Sequence, residues 1–172
     1  MSLTHLLLGQ AGVYRVLAEL LAREVNAYLP VVDVGVDILT MRGTRIQVKT
    51  TKLRTRKTAS GYGQGPSYFF APSIKYRGSP ERRRRGYTFR QYANEVDFVV
   101  YWGADEDRFW IVPASLADRT KCVVLQPKQY AGRLSGTVTD AVYAHERRWD
   151  LLGAAPEPTT HEVPPLQLVG GA

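Results

Sequence analysis

Two hydrophobic periods divide the chain. Val13, Val16, Leu17, Leu20 and Leu21 recur at i, i+3, i+4, i+7 and i+8, which predicts a helix from about residue 9 or 10 to Tyr28, stopped by Pro30. The period then falls to two. Val32, Val34, Val36 and Ile38 share one face of a strand over residues 31–40, and Ile46 and Val48 share one face of a second over 44–51. A basic stretch rich in Gly and Tyr follows over 52–86, with a strand expected at 67–74. Residues 90–95 predict a short helix. Apolar runs at 96–102 and 109–112 predict two buried antiparallel strands turned by 103–107, and 113–118 predicts another short helix. A strand at 122–125 and a closing helix over 139–152 complete the order. Helix, strands and helix in this sequence predict an α/β fold: a mixed central β-sheet flanked by helices. Residues 1–153 form the expected domain, and 154–172, with Pro156, Pro158, Pro164 and Pro165, a loosely ordered tail.

The first two strands form a hairpin with a specific register. Met41-Arg42-Gly43 reads as a three-residue loop with glycine at the left-handed position. Thr40 then pairs with Thr44, Ile38 with Ile46, and Asp37 with Gln47. Because side chains alternate, Val32, Val34, Val36, Ile38, Ile46 and Val48 form the core face. Asp33, Gly35, Asp37, Gln47, Lys49 and Thr51 fall on the other, with Lys49 opposite the notch left by Gly35. A carboxylate, an amide oxygen and an ammonium beside an open notch suit a metal ion and a phosphate. Asp37 is a candidate magnesium ligand, with the Gln47 side-chain oxygen or the Val48 carbonyl completing the shell. Lys49 would orient a water or offset charge on a phosphorane-like transition state. The plain alternative is a surface strand with a weak cross-strand Asp–Lys pair.

Charge shifts that balance. Among 172 residues, 23 Lys and Arg stand against 16 Asp and Glu, a net charge of +7, which points to a polyanionic partner. A membrane partner is disfavoured: no run approaches the ~20 apolar residues of a span, and the start lacks the features of a signal peptide. The single cysteine, Cys122, excludes an internal disulfide framework and a multi-cysteine zinc site, so a cytoplasmic protein is the expectation. At 44% hydrophobic residues the chain can build a core.

The strings Gly35-Val36-Asp37-Ile38-Leu39 and Ile46-Gln47-Val48-Lys49-Thr50-Thr51 resemble the core of the PD-(D/E)XK nuclease superfamily. In it a helix precedes a hairpin bearing Asp, then an acidic residue or Gln, any residue, and Lys. The Gln-x-Lys form is similar to the branch holding some group I intron homing endonucleases and Mrr-like restriction enzymes. Val96-Asp97-Phe98-Val99-Val100-Tyr101 and Phe109-Trp110-Ile111-Val112-Pro113 look like its downstream strands. The resemblance implies a restriction-endonuclease-like fold, magnesium or manganese as cofactor, and cleavage of double-stranded DNA. It also implies Asp37 as metal-binding Asp, Gln47 in the place of the acidic ligand, and Lys49 as catalytic Lys. One position departs. Related sequences carry Gly-Glu-Tyr at the helix start, where this chain has Gly12-Val13-Tyr14. Glu19 lies roughly 240° around the helix from Val13, so it would reach the site only from the flank; Asp33 is a second substitute.

Basic residues extend the reading. Lys52, Arg54, Arg56 and Lys57 follow the hairpin directly, and Arg82, Arg83, Arg84, Arg85 and Arg90 form a second cluster. Both are candidate phosphate contacts, against the alternative of solvated charge. Tyr101, Trp102 and Trp110 are expected in the core or an interface rather than as ligands, and Cys122 as a buried packing residue. His5, His145 and His161 form no triad or zinc pattern. Three readings follow: a metal-dependent DNA endonuclease, homo-oligomeric because cutting two strands needs two sites; a nuclease-like protein that binds nucleic acid without cutting; and a structural or partner-binding domain whose charge is incidental.

Overall fold

The structure, a computed structural model, describes residues 3–31, 35–57, 63–70, 92–119, 122–127 and 137–153. Helix α1 (Leu3–Ala22) buries Gly12, Val16 and Leu20. It starts and stops nearly two turns earlier than the periodicity predicts. The stop has a local cause. Glu24 adopts φ 62°, and the Val25 N–H donates back to the Leu20 carbonyl at 2.9 Å, which tucks Val25 into the core. That reversal frees Ala27–Tyr28 to form β1.

Strands β2 (Ile38–Thr40) and β3 (Arg45–Thr51) form the expected hairpin, with Ile38 opposite Ile46 and Leu39 opposite Arg45. Gly43 sits at φ 83°, and the Thr40 N–H donates to the Thr44 carbonyl at 3.0 Å. The left-handed turn makes glycine the natural residue there. Strand β2 is shorter than predicted. Its ladder ends where the Asp37 N–H donates to the Ile46 carbonyl, so the strand register does not extend to Gly35. Residues 32–34, Asp33 among them, lie outside the described residues.

The chain continues through β4 (Leu53–Lys57), β5 (Gly63–Phe70), a 3-10 turn (Tyr92–Asn94), β6 (Phe98–Gly103), β7 (Arg108–Pro113), α2 (Ala114–Ala117), β8 (Val123–Leu125), α3 (Thr137–Tyr143) and a 3-10 turn (Trp149–Leu152). The main sheet has the order β1-β2-β3-β6-β7. Only β3 and β6 pair in parallel, so the sheet is mixed. A second antiparallel sheet has the order β4-β5-β8.

Cores lie on both faces of the main sheet. On one, α1 sends Val16 and Leu20 against Ile38, Ile46, Val48, Val100 and Ile111. On the other, Tyr68, Phe70, Val123 and Leu125 of the second sheet, with Ala114 and Ala117 of α2 and Val142 of α3, cover Val99, Tyr101, Trp110 and Val112. The α/β class with helices on both sides therefore holds. Val36 belongs to this second cluster, not with Ile38, because the strand has ended before it.

Three further expectations change. Strand β4 was hidden because Leu53-Arg54-Thr55-Arg56-Lys57 offers one apolar residue and a basic stretch. The closing helix divides at Tyr143. The buried Arg108 draws in Glu146, with its Nε and Nη2 donating at 2.8 and 2.6 Å, and this lays residues 145–147 along β7. Cys122 is exposed rather than buried. The tail at 154–172 and the predicted strand end at 71–74 lie outside the described residues. Among the described residues no helix is long and apolar enough to cross a membrane.

Candidate functional site

Asp37 stands just before β2 begins, and its carboxylate turns onto β3. Its Oδ2 accepts the Val48 N–H at 2.7 Å and the Gln47 Nε2 amide at very short range. The Val48 peptide is thus turned toward Asp37. Gln47 is 6% exposed, and its Oε1 is buried with no hydrogen-bond partner among the described residues. A buried carbonyl oxygen left unpaired carries a desolvation cost of about 1–3 kcal/mol. A hard cation is one partner that would relieve it, and the donor set of carboxylate, amide oxygen and main-chain carbonyl has the chemistry that magnesium and manganese accept. The fit is lean: no group of three His, Cys, Asp or Glu side chains gathers among the described residues.

Lys49 follows two residues later on the same face. Its ammonium lies 5.8 Å from the centroid of the Tyr92 ring, a cation–π distance. The Asp118 carboxylate fixes Tyr92 in turn, accepting the Tyr92 N–H at 2.6 Å and the Ala93 N–H at 2.9 Å. In the parallel register Tyr101 lies beside Lys49. The Tyr101 hydroxyl is buried without a partner, and burial, with Tyr92 and Asp118 nearby, raises its pKa. Sequence reasoning missed Tyr92 and Asp118 as neighbours of the site. An aromatic at the end of a basic loop was the only hint of Tyr92; the parallel pairing of β3 with β6 left no local mark.

The structure brings Asp37, Gln47 and the Val48 peptide together and places Lys49 on the same face. It does not join Glu19 to them. Glu19 pairs with Arg15 at 2.6 Å and Arg23 at 3.1 Å, on the flank where Arg15 also holds Asp107 of the β6–β7 turn. Val13 packs against the α1-side core. Lys52 and Arg54 are exposed, Lys52 in the link that follows β3 and Arg54 on β4. Arg56 and Lys57 lie on β4 by their backbone, but their side chains are outside the described residues, as are Arg82, Arg83, Arg84, Arg85 and Arg90 entirely.

No family model matches this chain, and no curated protein matches it. Among solved structures the chain is similar to the bacterial homing endonuclease I-Ssp6803I. The TM-score is 0.57 at 16% identity, over 85% of this chain and 90% of that one. At that identity the likeness is one of fold.

Proposed function

We propose that this chain is a metal-dependent endonuclease that hydrolyses phosphodiester bonds in double-stranded DNA, of the PD-(D/E)XK type in its Gln-x-Lys form. One observation supports the reading: Asp37 and Gln47 meet beside the start of β2 through the Gln47 Nε2, Gln47 Oε1 is buried without a partner among the described residues, and Lys49 stands two residues on. The fold likeness to a homing endonuclease supports it. Asp37, Gln47 Oε1 and the Val48 carbonyl would hold a magnesium or manganese ion. Such an ion supplies charge neutralisation at the phosphate and a more acidic water. Asp37 would hold its place through the bonds it accepts from the Val48 N–H and the Gln47 amide, which orient the carboxylate. The Lys49 ammonium, backed by the Tyr92 ring, would offset charge developing on the phosphoryl oxygens. Lys52, Arg54, Arg56 and Lys57, with Arg82, Arg83, Arg84, Arg85 and Arg90, would bind the duplex backbone. Two copies are expected for cleavage of both strands.

The lean donor set among the described residues favours a second reading, a nuclease-like protein that binds DNA and cuts weakly or not at all. Cleavage of supercoiled plasmid with magnesium or manganese separates the two. Under the first reading Lys49→Ala lowers the rate about 100-fold or more while DNA affinity measured by anisotropy stays within a factor of a few. Binding without cutting under either ion establishes the second, and equal loss of binding and cutting on Lys49→Ala makes that residue a phosphate contact only.

A further inference from the structure

Helix α1 is apolar on both sides, yet the described residues cover only one side. Its inward face meets the core through Val16 and Leu20. At about 100° per residue, Leu7, Ala11, Tyr14, Ala18 and Leu21 line the opposite face. All five are exposed, Leu7 at 62%, Tyr14 at 55% and Leu21 at 51%. The only Asp, Glu, Lys or Arg on the helix, Arg15 and Glu19, pair with each other on the flank. An outward helix face without one such charge is unusual for a solvated surface, where charged residues are the rule. Among the described residues the exposed large hydrophobics, Leu3, Leu6, Leu7, Tyr14, Leu21, Tyr28, Val31 and Met41, all fall within the first 41 positions.

The order of the stripe identifies its occupant. Leu7, Ala11, Tyr14, Ala18 and Leu21 are spaced 4, 3, 4 and 3, the a/d repeat of a helix pair. Read from either end, the residues are Leu, Ala, Tyr, Ala, Leu. A two-fold axis through Tyr14 therefore sets Leu7 against Leu21 of a second helix and brings Ala11 to within one residue of Ala18, about 1.5 Å along the helix, with the two Tyr14 rings meeting on the axis. The alanines let the backbones approach and the leucines and tyrosines supply the apolar area. Self-complementarity of this kind is what an isologous contact requires, and an unrelated partner would have no need of it. We propose that the outer face of α1 is the surface on which a second copy of this chain docks, as an antiparallel helix pair centred on Tyr14. The proposal stands apart from the catalytic reading, since association can be measured whether or not the chain cuts DNA.

One helix pair makes a small interface. The expected affinity is about 1–100 μM, so sedimentation of the full chain should be followed from about 1 μM to 300 μM. The mass should climb from the 19.3 kDa of one chain toward twice that value. Tyr14→Glu places two like charges on the axis and should hold the protein at the mass of one chain. The double variants test the direction of the helices. In an antiparallel pair A11E/A18K sets opposite charges across the contact twice and should still dimerise, whereas A11E/A18E should not. Glu and Lys are good helix formers at exposed positions, so these two variants decide the matter even if Tyr14→Glu disturbs folding by circular dichroism. A constant mass in the wild type overturns the proposal. So does a dimer that survives A11E/A18E, or an A11E/A18K variant as dissociated as A11E/A18E.

Discussion

Strand β3 presents two faces of opposite character. Ile46 and Val48 point to the α1 side, into a cluster of Val16, Leu20, Ile38, Val100 and Ile111. Gln47 and Lys49 point to the other, where Gln47 Oε1, Tyr101 Oη and Trp110 Nε1 are all buried without hydrogen-bond partners among the described residues. On the α1 side of this strand the corresponding group is the Thr50 hydroxyl, which lies against Gly12. Buried polar groups are normally satisfied, and each that is not costs stability. One face thus serves folding. The other retains polar groups that folding alone does not use, and such groups gather at sites with a ligand to bind. Adjacent residues of one strand divide the two tasks because the side-chain period of a strand is two.

The largest test of this contrast adds a charge to the polar face. Gln47→Glu sets a second buried carboxylate beside Asp37, which should lower stability by about 3 kcal/mol in the presence of a chelator. Manganese should then raise the melting temperature of the variant more than that of the wild type. A variant whose stability ignores manganese removes the Asp37–Gln47 pair as a cation site.

A smaller test addresses the α1 side. A Cβ at Gly12 would lie 1.8 Å from Thr50 Oγ1 and 3.1 Å from the Trp102 ring. Helix propensity alone favours Gly12→Ala by about 1 kcal/mol. The close approach should reverse that sign, giving a net loss of about 1–2 kcal/mol in urea unfolding. Removing the hydroxyl in G12A/T50A should recover part of it. A more stable Gly12→Ala would mean that α1 can move off the sheet at no cost.

The smallest effect concerns the ends of β3 and β6. Asp97 receives hydrogen bonds from the Arg45 side chain, with Nη2 at 2.9 Å, and from its N–H at 2.8 Å. The side-chain bond to Arg45 holds the Asp97 carboxyl below the usual carboxylate range. A depressed carboxyl stabilises the fold above its unfolded value, near pH 4, and loses that contribution as pH falls through its folded value. Both side chains are about 40% exposed, so solvent screens the pair strongly. Asp97→Asn should open a slight gap in urea midpoint at pH 7, and the gap should close on acidification. A gap independent of pH would assign the difference to the neutral hydrogen bonds.

The hairpin was legible in the residues themselves. Met41-Arg42-Gly43 set the loop, the loop set the register, and the register put Asp37 beside Gln47. Helix α1 was legible in type but not in extent. The turn that ends it depends on the Val25 N–H reaching back to Leu20, and Val25 being buried rewards that turn more than another helical turn would. The closing helix failed for a related reason. Residues 145–147 leave the helical path to pair with β7 because Arg108 needs the Glu146 carboxylate, and that partner is distant in sequence.

Local chemistry thus determined which residues could form the polar cluster, since alternation and turn type act over a few positions. Tertiary structure alone decided what surrounds it. The parallel alignment of β3 with β6 brought Tyr101 beside Lys49. The Asp118 carboxylate brought the Tyr92 ring under the ammonium, while Arg15 and Arg23 kept Glu19 on the flank. Each of these contacts joins segments whose separation along the chain, or whose competing ion pairs, no short pattern encodes.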